Sequence, residues 1–291
     1  MKNVKISVCQ FPLKPFASFD AFQAQVETFL ERVPRDSDYV VFPELMTLGL
    51  FHSFESAAKI RVQDVVHVST YTEDYLSLFQ NLAKKRRQVI IAGSHLTENG
   101  GQYYNTCFIF DKDGSYVEHK KTHIFPGESM WHTSEGDELS GYDIGPVKIG
   151  VAICYEIEIP EIATILAAQG AEIIFCPSYT FSEAGFWRVR HCAQARAIEN
   201  QVYVVHCSTV GDPKLPISAR GYGRSAIISP CDVGFPDDGI VSEAKAHEAA
   251  VITATVDVDR LRHIRQRGDA TTSSDRMRRR TLYEAYAPYR K

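Results

Sequence analysis

Hydrophobic positions along this chain change their period several times. Val4, Ile6 and Val8 alternate with polar neighbours and predict a strand ending at Cys9. Phe19, Phe22, Val26, Phe29, Leu30 and Val33 then recur at helical spacing, the pattern of an amphipathic helix covering a sheet. Tyr39 to Phe42 is a short continuous apolar run, as in a buried strand, and Pro43-Glu44 closes it. Glu73 to Arg87 predicts a second helix carrying Leu76, Phe79 and Leu82 inward, followed by a strand from Gln88 to Ala92.

Tyr103 to Phe110 and Tyr116 to Lys121 flank Asp111-Lys112-Asp113-Gly114, a turn sequence that joins antiparallel strands. Val147 to Cys154 predicts another strand, after which Pro160 opens a helix that ends near Gly170. Strands at Ala171 to Pro177 and Gln201 to Cys207 bracket a helix from Phe186 to Asn200. Tyr222 to Ser229 and Ala250 to Val256 complete the strands before the helix-like Asp259 to Arg267. Strands outnumber helices, so a mixed sheet, or two packed sheets flanked by helices, fits better than strict βαβ alternation. No linker, repeat or low-complexity stretch divides the chain, which predicts one domain over 1–291 with 259–291 as a C-terminal helical extension.

Composition narrows the class. With 44% hydrophobic and 23% charged residues among 291, a large core is feasible. A formal net charge of -4 gives no basic footprint for nucleic acid. Arg276, Arg278, Arg279 and Arg280 form the one local basic cluster and read as a solvated or subunit-contacting segment. The seven cysteines are scattered without a CxxC pair, and the N-terminal stretch lacks the apolar region of a secretory signal, so a reduced, cytoplasmic protein is expected. No apolar run approaches the roughly 18 residues that would suggest a membrane span.

Three residues carry candidate chemistry: Glu44 in VVFPEL, Lys121 in KKTHIF and Cys154 in GVAICYE. Each sits where an apolar run gives way to polar residues. A thiol nucleophile, a carboxylate base and an ammonium that stabilises an oxyanion suit acyl transfer at a carbon–nitrogen bond, with no metal or organic cofactor required. Cys154 at a strand end near outward-facing N–H groups is expected to have a lowered thiol pKa. Taken singly, each residue has a plainer reading: a buried structural thiol, a solvated strand-end acid, a surface lysine. Lys120 and Lys121 point to opposite faces of a strand, and spacing alone does not choose between them.

Together the three blocks resemble those of the nitrilase superfamily of carbon–nitrogen hydrolases, in family order: FPE, K-x-H-[hydrophobic]-F and G-x-x-[hydrophobic]-C-Y-[DE]. Tyr104-Asn105, Pro160-Glu161, Pro177-Ser178, the run from Arg196 to Asn200, and Gly223-x-Ser225 ahead of Ile227 match as well, so the resemblance runs from about Val4 to beyond Asp257. Cys231 stands where many members have Gly. The nearest likeness is the branch that some bacteria carry fused to an acetyltransferase domain. The resemblance implies a four-layer α-β-β-α sandwich, pairing into a homodimer or higher oligomer, and Lys121 rather than Lys120 at the site. It further implies Cys154 as nucleophile, Glu44 as base, and Lys121 with the backbone N–H of Tyr155 around the oxyanion. A second active-site glutamate is expected after the lysine, with Glu128 the candidate and Glu135 close by. Tyr155 replaces the Trp usual in true nitrilases, which favours a small linear amide substrate and ammonia release. An N-carbamoyl (ureido) amidohydrolase, a nitrilase, an N-acyl transferase and a non-enzymatic binding scaffold are the alternatives.

Trp131, His132, Tyr179, Phe181, Phe186 and Trp187 are candidates for a substrate wall, and Arg188 and Arg190 for a substrate carboxylate. Other signals lead elsewhere. His119 and His123 have the spacing of a zinc pair on a helix but fall on a strand and its exit, with no further ligand set, so no metal is expected. His191 and His206 suggest a papain-like Cys–His pair, which leaves Glu44 and Lys121 unexplained. Gly221-x-Gly223 is half of a dinucleotide fingerprint and enters a strand.

Overall fold

Tyr39 and Val41 face one side of their strand, while Val40 and the following Phe42 face the other, and both sides meet apolar partners. That burial on two faces explains the unbroken apolar run and locates the strand between two layers. The computed structural model describes residues 1–54, 61–216 and 218–285. Residues 286–291 of the expected C-terminal extension lie outside the described residues.

In chain order the strands are β1 (Asn3–Gln10), β2 (Pro12–Leu13), β3 (Tyr39–Val41), β4 (Val89–Asn99), β5 (Gln102–Phe110), β6 (Tyr116–Lys120), β7 (Thr133–Ser134) and β8 (Tyr142–Ile144). They continue as β9 (Val147–Val151), β10 (Ile173–Ser178), β11 (Tyr203–Ser208), β12 (Val210–Gly211), β13 (Ala226–Ile228), β14 (Ile240–Glu243) and β15 (Ala250–Asp257). The α-helices are α1 (Phe19–Glu31), α2 (Thr72–Arg86), α3 (Pro160–Ala168), α4 (Glu183–Asn200), α5 (Val258–Arg267), α6 (Thr272–Arg278) and α7 (Arg280–Ala285). One sheet runs β15-β1-β3-β4-β5-β6, with β7 beside β5, and the other runs β14-β13-β11-β10-β9-β8. Each is parallel at its centre, across β1-β3-β4 and β9-β10-β11, and antiparallel at its flanks.

The helices form the outer layers. Phe22, Val26 and Phe29 of α1 and Tyr75, Phe79 and Leu82 of α2 pack on Val40, Phe42, Ile90 and Phe110. Each such side chain is worth about 1.5–3 kcal/mol relative to exposure. Phe79 meets the rings of Phe42, Tyr75 and Phe110, so truncating it to Ala would cost about 3–5 kcal/mol. On the far side α3 and α4 cover the second sheet through Ile162, Leu166, Val189 and Ala193. Between the sheets the rings of Tyr39 and Phe175 lie 5.3 Å apart, and the Cys207 thiol reaches the carbonyls of Cys9 and Val41. This is the α-β-β-α sandwich that the motifs implied.

Local chemistry sets the helix ends. Ser18 and Ser182 cap α1 and α4 by accepting the N–H groups of Ala21 and Gly185 at 3.2 and 3.1 Å. Pro160 opens α3, and Gly170 follows it with φ +99°. Some boundaries differ from expectation. The strand predicted to reach Cys154 stops at Val151, because Cys154 opens a 3₁₀ helix, Cys154–Glu158. The 3₁₀ helices Leu48–Ser53 and Val62–Tyr71 have no counterpart in the sequence reading, since runs that short show no helical period. Part of the C-terminal basic cluster docks on the domain: Arg276 donates to Asn200 Oδ1 at 2.7 Å and Thr164 Oγ1 at 2.8 Å. Among the described residues, no helix is long and apolar enough to cross a membrane.

Candidate active site

Glu44 leaves the end of β3 in a loop that β4 shapes. A bulge in β4 between Ile91 and Ser94 brings Gly93, with φ +74°, against that loop. A Cβ on Gly93 would lie 2.0 Å from the Pro43 carbonyl oxygen, so only glycine permits the approach. The Ser94 hydroxyl then accepts the N–H of Leu45 at 3.0 Å, and Thr209 donates to the Glu44 carbonyl at 2.6 Å. Leu45 itself is left-handed, with φ +53°.

The Glu44 carboxylate is held from three sides. Its Oε1 accepts Lys121 Nζ at 2.8 Å and Asn105 Nδ2 at 2.9 Å, and its Oε2 accepts the Tyr179 N–H at 2.7 Å. Asn105 Nδ2 also reaches Glu128 Oε1 at 2.8 Å, while Glu128 Oε2 pairs with Lys121. Asn105 thereby bridges the two carboxylates. Among the described residues its buried Oδ1 has no hydrogen-bond partner, and the reverse orientation of the amide would set oxygen against oxygen. Glu44, Lys121, Glu128 and Cys154 expose only 2%, 1%, 2% and 7% of their surface, so this is an interior charge cluster opening on a cavity.

The structure brings the predicted residues to one place. Glu44, Glu128 and Cys154 line a cavity of about 260 Å³, together with Tyr155, Glu158 and Arg188. Glu128 rather than Glu135 reaches the lysine; Glu135 accepts the Ile124 N–H at 3.1 Å instead. Lys120 turns away to lie 4.7 Å over the Tyr104 ring. Cys154 has φ +49°, a left-handed conformation that costs a non-glycine residue on the order of 1–3 kcal/mol. That kink projects the thiol out of the strand line toward the cavity. Tyr155 is the second residue of the 3₁₀ helix, and amides of a first turn have no acceptor inside their helix.

Electrostatics assign protons. Burial pushes the Cys154 thiol well above its usual pKa, the Glu44 carboxylate adds to this, and Lys121 offsets only part. The expectation of a lowered thiol pKa is therefore overturned: the site is too dry and too close to a carboxylate. Burial also raises Glu44, opposed by the Lys121 ammonium and assisted by Glu128. For Lys121, burial works against the charge, but Glu128 and Glu44 outweigh it and hold the amine protonated. The resting arrangement is a neutral thiol beside a raised carboxylate and a permanent cation.

Of the expected aromatic wall, Tyr179 and Phe181 line the cavity, and Phe125 and Tyr155 join them. Trp131 and Trp187 do not. Trp131 is buried behind the site with Leu48, Phe51, Val65 and Leu96, and Trp187 lies on the outer face of α4, stacked on His191. Neither His132 nor Phe186 is part of the lining; Phe186 stacks on His206. Arg188 reaches the cavity and pairs with Glu158 at 2.6 Å. Arg190 is buried elsewhere, donating to Glu243 and the Arg224 carbonyl. Among the described residues no histidine lines the cavity, and His119 and His123 part company, bonding Glu156 and Thr122.

Comparison with known proteins places these features in context. The profile described as Carbon-nitrogen hydrolase matches residues 5–266. A relative named probable hydrolase YhcX, from Bacillus subtilis, is 41% identical over 96% of this chain, which spans only 54% of that protein's length. The omega-amidase NIT2-A of Xenopus laevis is 31% identical over 97% of this chain and 98% of its own. Among solved structures, Nit3 of Saccharomyces cerevisiae, a member of branch 10 of the nitrilase superfamily, superposes with a TM-score of 0.72 at 27% identity, covering 91% of this chain and 94% of that one.

Proposed function

This chain belongs to the carbon–nitrogen hydrolase family, enzymes of carbon–nitrogen bonds other than peptide bonds, and from that premise we propose that it is a thiol amidase releasing ammonia from a small linear amide. Cys154 Sγ attacks the amide carbon while Glu44 takes the thiol proton. The Lys121 ammonium and the Tyr155 N–H hold the oxyanion. The carbon–nitrogen bond breaks as Glu44 returns the proton to nitrogen, and ammonia leaves a thioester on Cys154. Glu44 then deprotonates water, which attacks the thioester; the carbon–sulfur bond breaks, the thiol is reprotonated and the carboxylic acid departs. The observation that carries this reading is the contact of Glu44 with Lys121 at 2.8 Å on the wall of the cavity that Cys154 faces.

A terminal amide on a short chain ending in a carboxylate suits the cavity. The space is small, Leu45, Phe125, Phe181 and Val189 are among its lining, and the half-exposed Arg188, paired with Glu158, brings a cation to it. The omega-amidase names of the NIT2 relatives support the same choice. The test is a screen of ω-amides, ureido acids and nitriles for ammonia release, with Cys154→Ala as blank. We expect ω-amide turnover, absent in that variant. Turnover by Cys154→Ala would remove the covalent route, and nitrile turnover without amide turnover would overturn the choice of bond. Preferential ureido turnover would favour the N-carbamoyl reading. Arg188→Gln raises KM for carboxylate-tailed amides and leaves uncharged ones unaffected.

A further inference from the structure

Glu156 is a fully buried carboxylate that the reaction proposed above does not use. Its Oε2 accepts the Ile153 N–H at 2.6 Å and His119 Nε2 at 2.9 Å. Its Oε1 accepts the Thr122 N–H at 2.8 Å and the Thr122 hydroxyl at 2.6 Å. A carboxylate offers about four lone-pair positions, so this one is saturated. Two of the donors sit at revealing places: Ile153 immediately precedes Cys154, and Thr122 immediately follows Lys121.

We infer that Glu156 is a positioning residue that sets the separation between the Cys154 thiol and the Lys121 ammonium, by clamping the Ala152–Ile153 peptide, one residue ahead of the nucleophile, to the peptide leaving the lysine. The clamp has a task to perform. Cys154 holds a left-handed backbone that must be over-determined by its surroundings, and the N–H of Ile153, the residue before it, is fixed by Glu156. Lys121 is anchored on its own N–H by the Asn105 carbonyl at 2.9 Å and on its carbonyl by the Gly136 N–H at 2.9 Å, and the Thr122 N–H of that same peptide is tied to Glu156. No neutral side chain replaces the clamp, because Gln presents an NH₂ to donors that need an acceptor. His119 supports Glu156 from β6, so three elements meet on one carboxylate.

The inference rests on the thiol chemistry proposed above, and its test is chosen to fail separately from it. Glu156→Gln preserves shape and removes the acceptor capacity; Thr122→Val removes one donor and keeps the volume. In a Cys192→Ser/Cys231→Ser background, which removes the two cysteines that are not buried, each is followed by thermal unfolding, amide turnover and the pH dependence of Cys154 alkylation by iodoacetamide. Glu44, Lys121 and Cys176 are the groups that face the thiol and shape that profile. Folded Glu156→Gln is expected to lose about 100-fold in kcat with KM changed by less than about threefold, as for a misplaced reacting group. Its alkylation midpoint moves up by about one pH unit as the ammonium draws away. Thr122→Val shifts both in the same direction, with about a tenfold loss in kcat. A purely structural residue would lower the melting temperature without moving the midpoint, and that result in either folded variant overturns the inference. If Glu156→Gln does not fold, Thr122→Val decides by the same criteria. The alkylation midpoint reads the clamp even if no amide is turned over, so loss of the proposed activity is distinguishable from loss of the clamp.

Discussion

Replacing Lys121 by methionine keeps most of the side chain's length and removes its charge from between Glu44 and Glu128. The native cluster holds two carboxylates against one ammonium; the variant leaves both carboxylates buried, with the Asn105 amide as their remaining shared donor. Breaking a buried pair by deleting one partner costs about 3–5 kcal/mol. At about 2–4 °C per kcal/mol for a chain of this size, the melting temperature falls by about 6–20 °C. The deficit depends on pH with a definite sign. Without the ammonium one carboxylate is protonated in the folded state, with its pKa above the unfolded value. A group raised on folding contributes stability at pH values below its unfolded pKa and loses it as pH rises through the folded value. The penalty is therefore smaller near about pH 5 than near about pH 8. Thermal melts of wild type and Lys121→Met at both pH values measure it, and adding Glu128→Gln to the variant returns part of the loss by removing one buried charge. Turnover falls by about 10²- to 10³-fold as the charged oxyanion donor disappears. A Lys121→Met protein that melts with the wild type at every pH would refute the reasoning, because the two carboxylates would then not depend on the ammonium.

Glu44→Gln should lower kcat by about 10²- to 10⁴-fold, the usual worth of a positioned base, and ammonia formation unaffected by it would show that another group takes the thiol proton. Because Glu44 lies above its ordinary pKa and must be unprotonated to act, kcat/KM should rise with pH through a limb higher than the roughly 4.3 of a free glutamate. A limb at the free value in a pH–rate profile would contradict this. Gly93→Ala places a methyl group against the Pro43 carbonyl at a positive φ, so it should displace the Glu44 loop, lowering kcat together with the melting temperature. Unchanged kinetics in that variant would mean that the bulge does not shape the site.

The layers were legible because their signals are periodic. The switch between Val4-Ile6-Val8 alternation and the helical recurrence from Phe19 to Val33 marks sheet and cover directly, and structure follows it at Asn3–Gln10 and Phe19–Glu31. The trio was legible from its motifs, since the residues lie far apart in sequence and no local pattern implies their meeting. What resisted reading lies in irregular backbone. Glu128 and Glu135 occupy a stretch with no period, so only coordinates separate the residue that reaches Lys121 from the one that holds Ile124. Trp131 shares that stretch and turns the opposite way, into a cluster beneath the 3₁₀ helices, whereas Phe125 turns toward the cavity. Helical periodicity on α4 would have separated the two arginines and Trp187 had the cavity's direction been known: Arg188 and Gly185 face it, while Trp187 and His191, four residues apart, share the outer surface.

The two glutamates around Lys121 have a common logic on the proposed mechanism. A thiol held neutral by burial needs a base, and a base that merely paired with the lysine would be weakened by it. Glu128 changes that balance. Burial is the larger cause that raises Glu44, and the negative charge of Glu128 adds to it while helping to hold Lys121 protonated; Asn105 Nδ2 donates to both carboxylates. When Glu44 takes the thiol proton, Lys121 still faces Glu128, so the cation stays charged while negative charge moves from carboxylate to sulfur and on to the oxyanion. The lysine cannot serve as the base under these conditions, because deprotonating it would leave two uncompensated carboxylates in the interior. On the proposed mechanism, burial and Glu128 together divide the labour, with Glu44 the group that moves the proton and Lys121 the group that never gives one up.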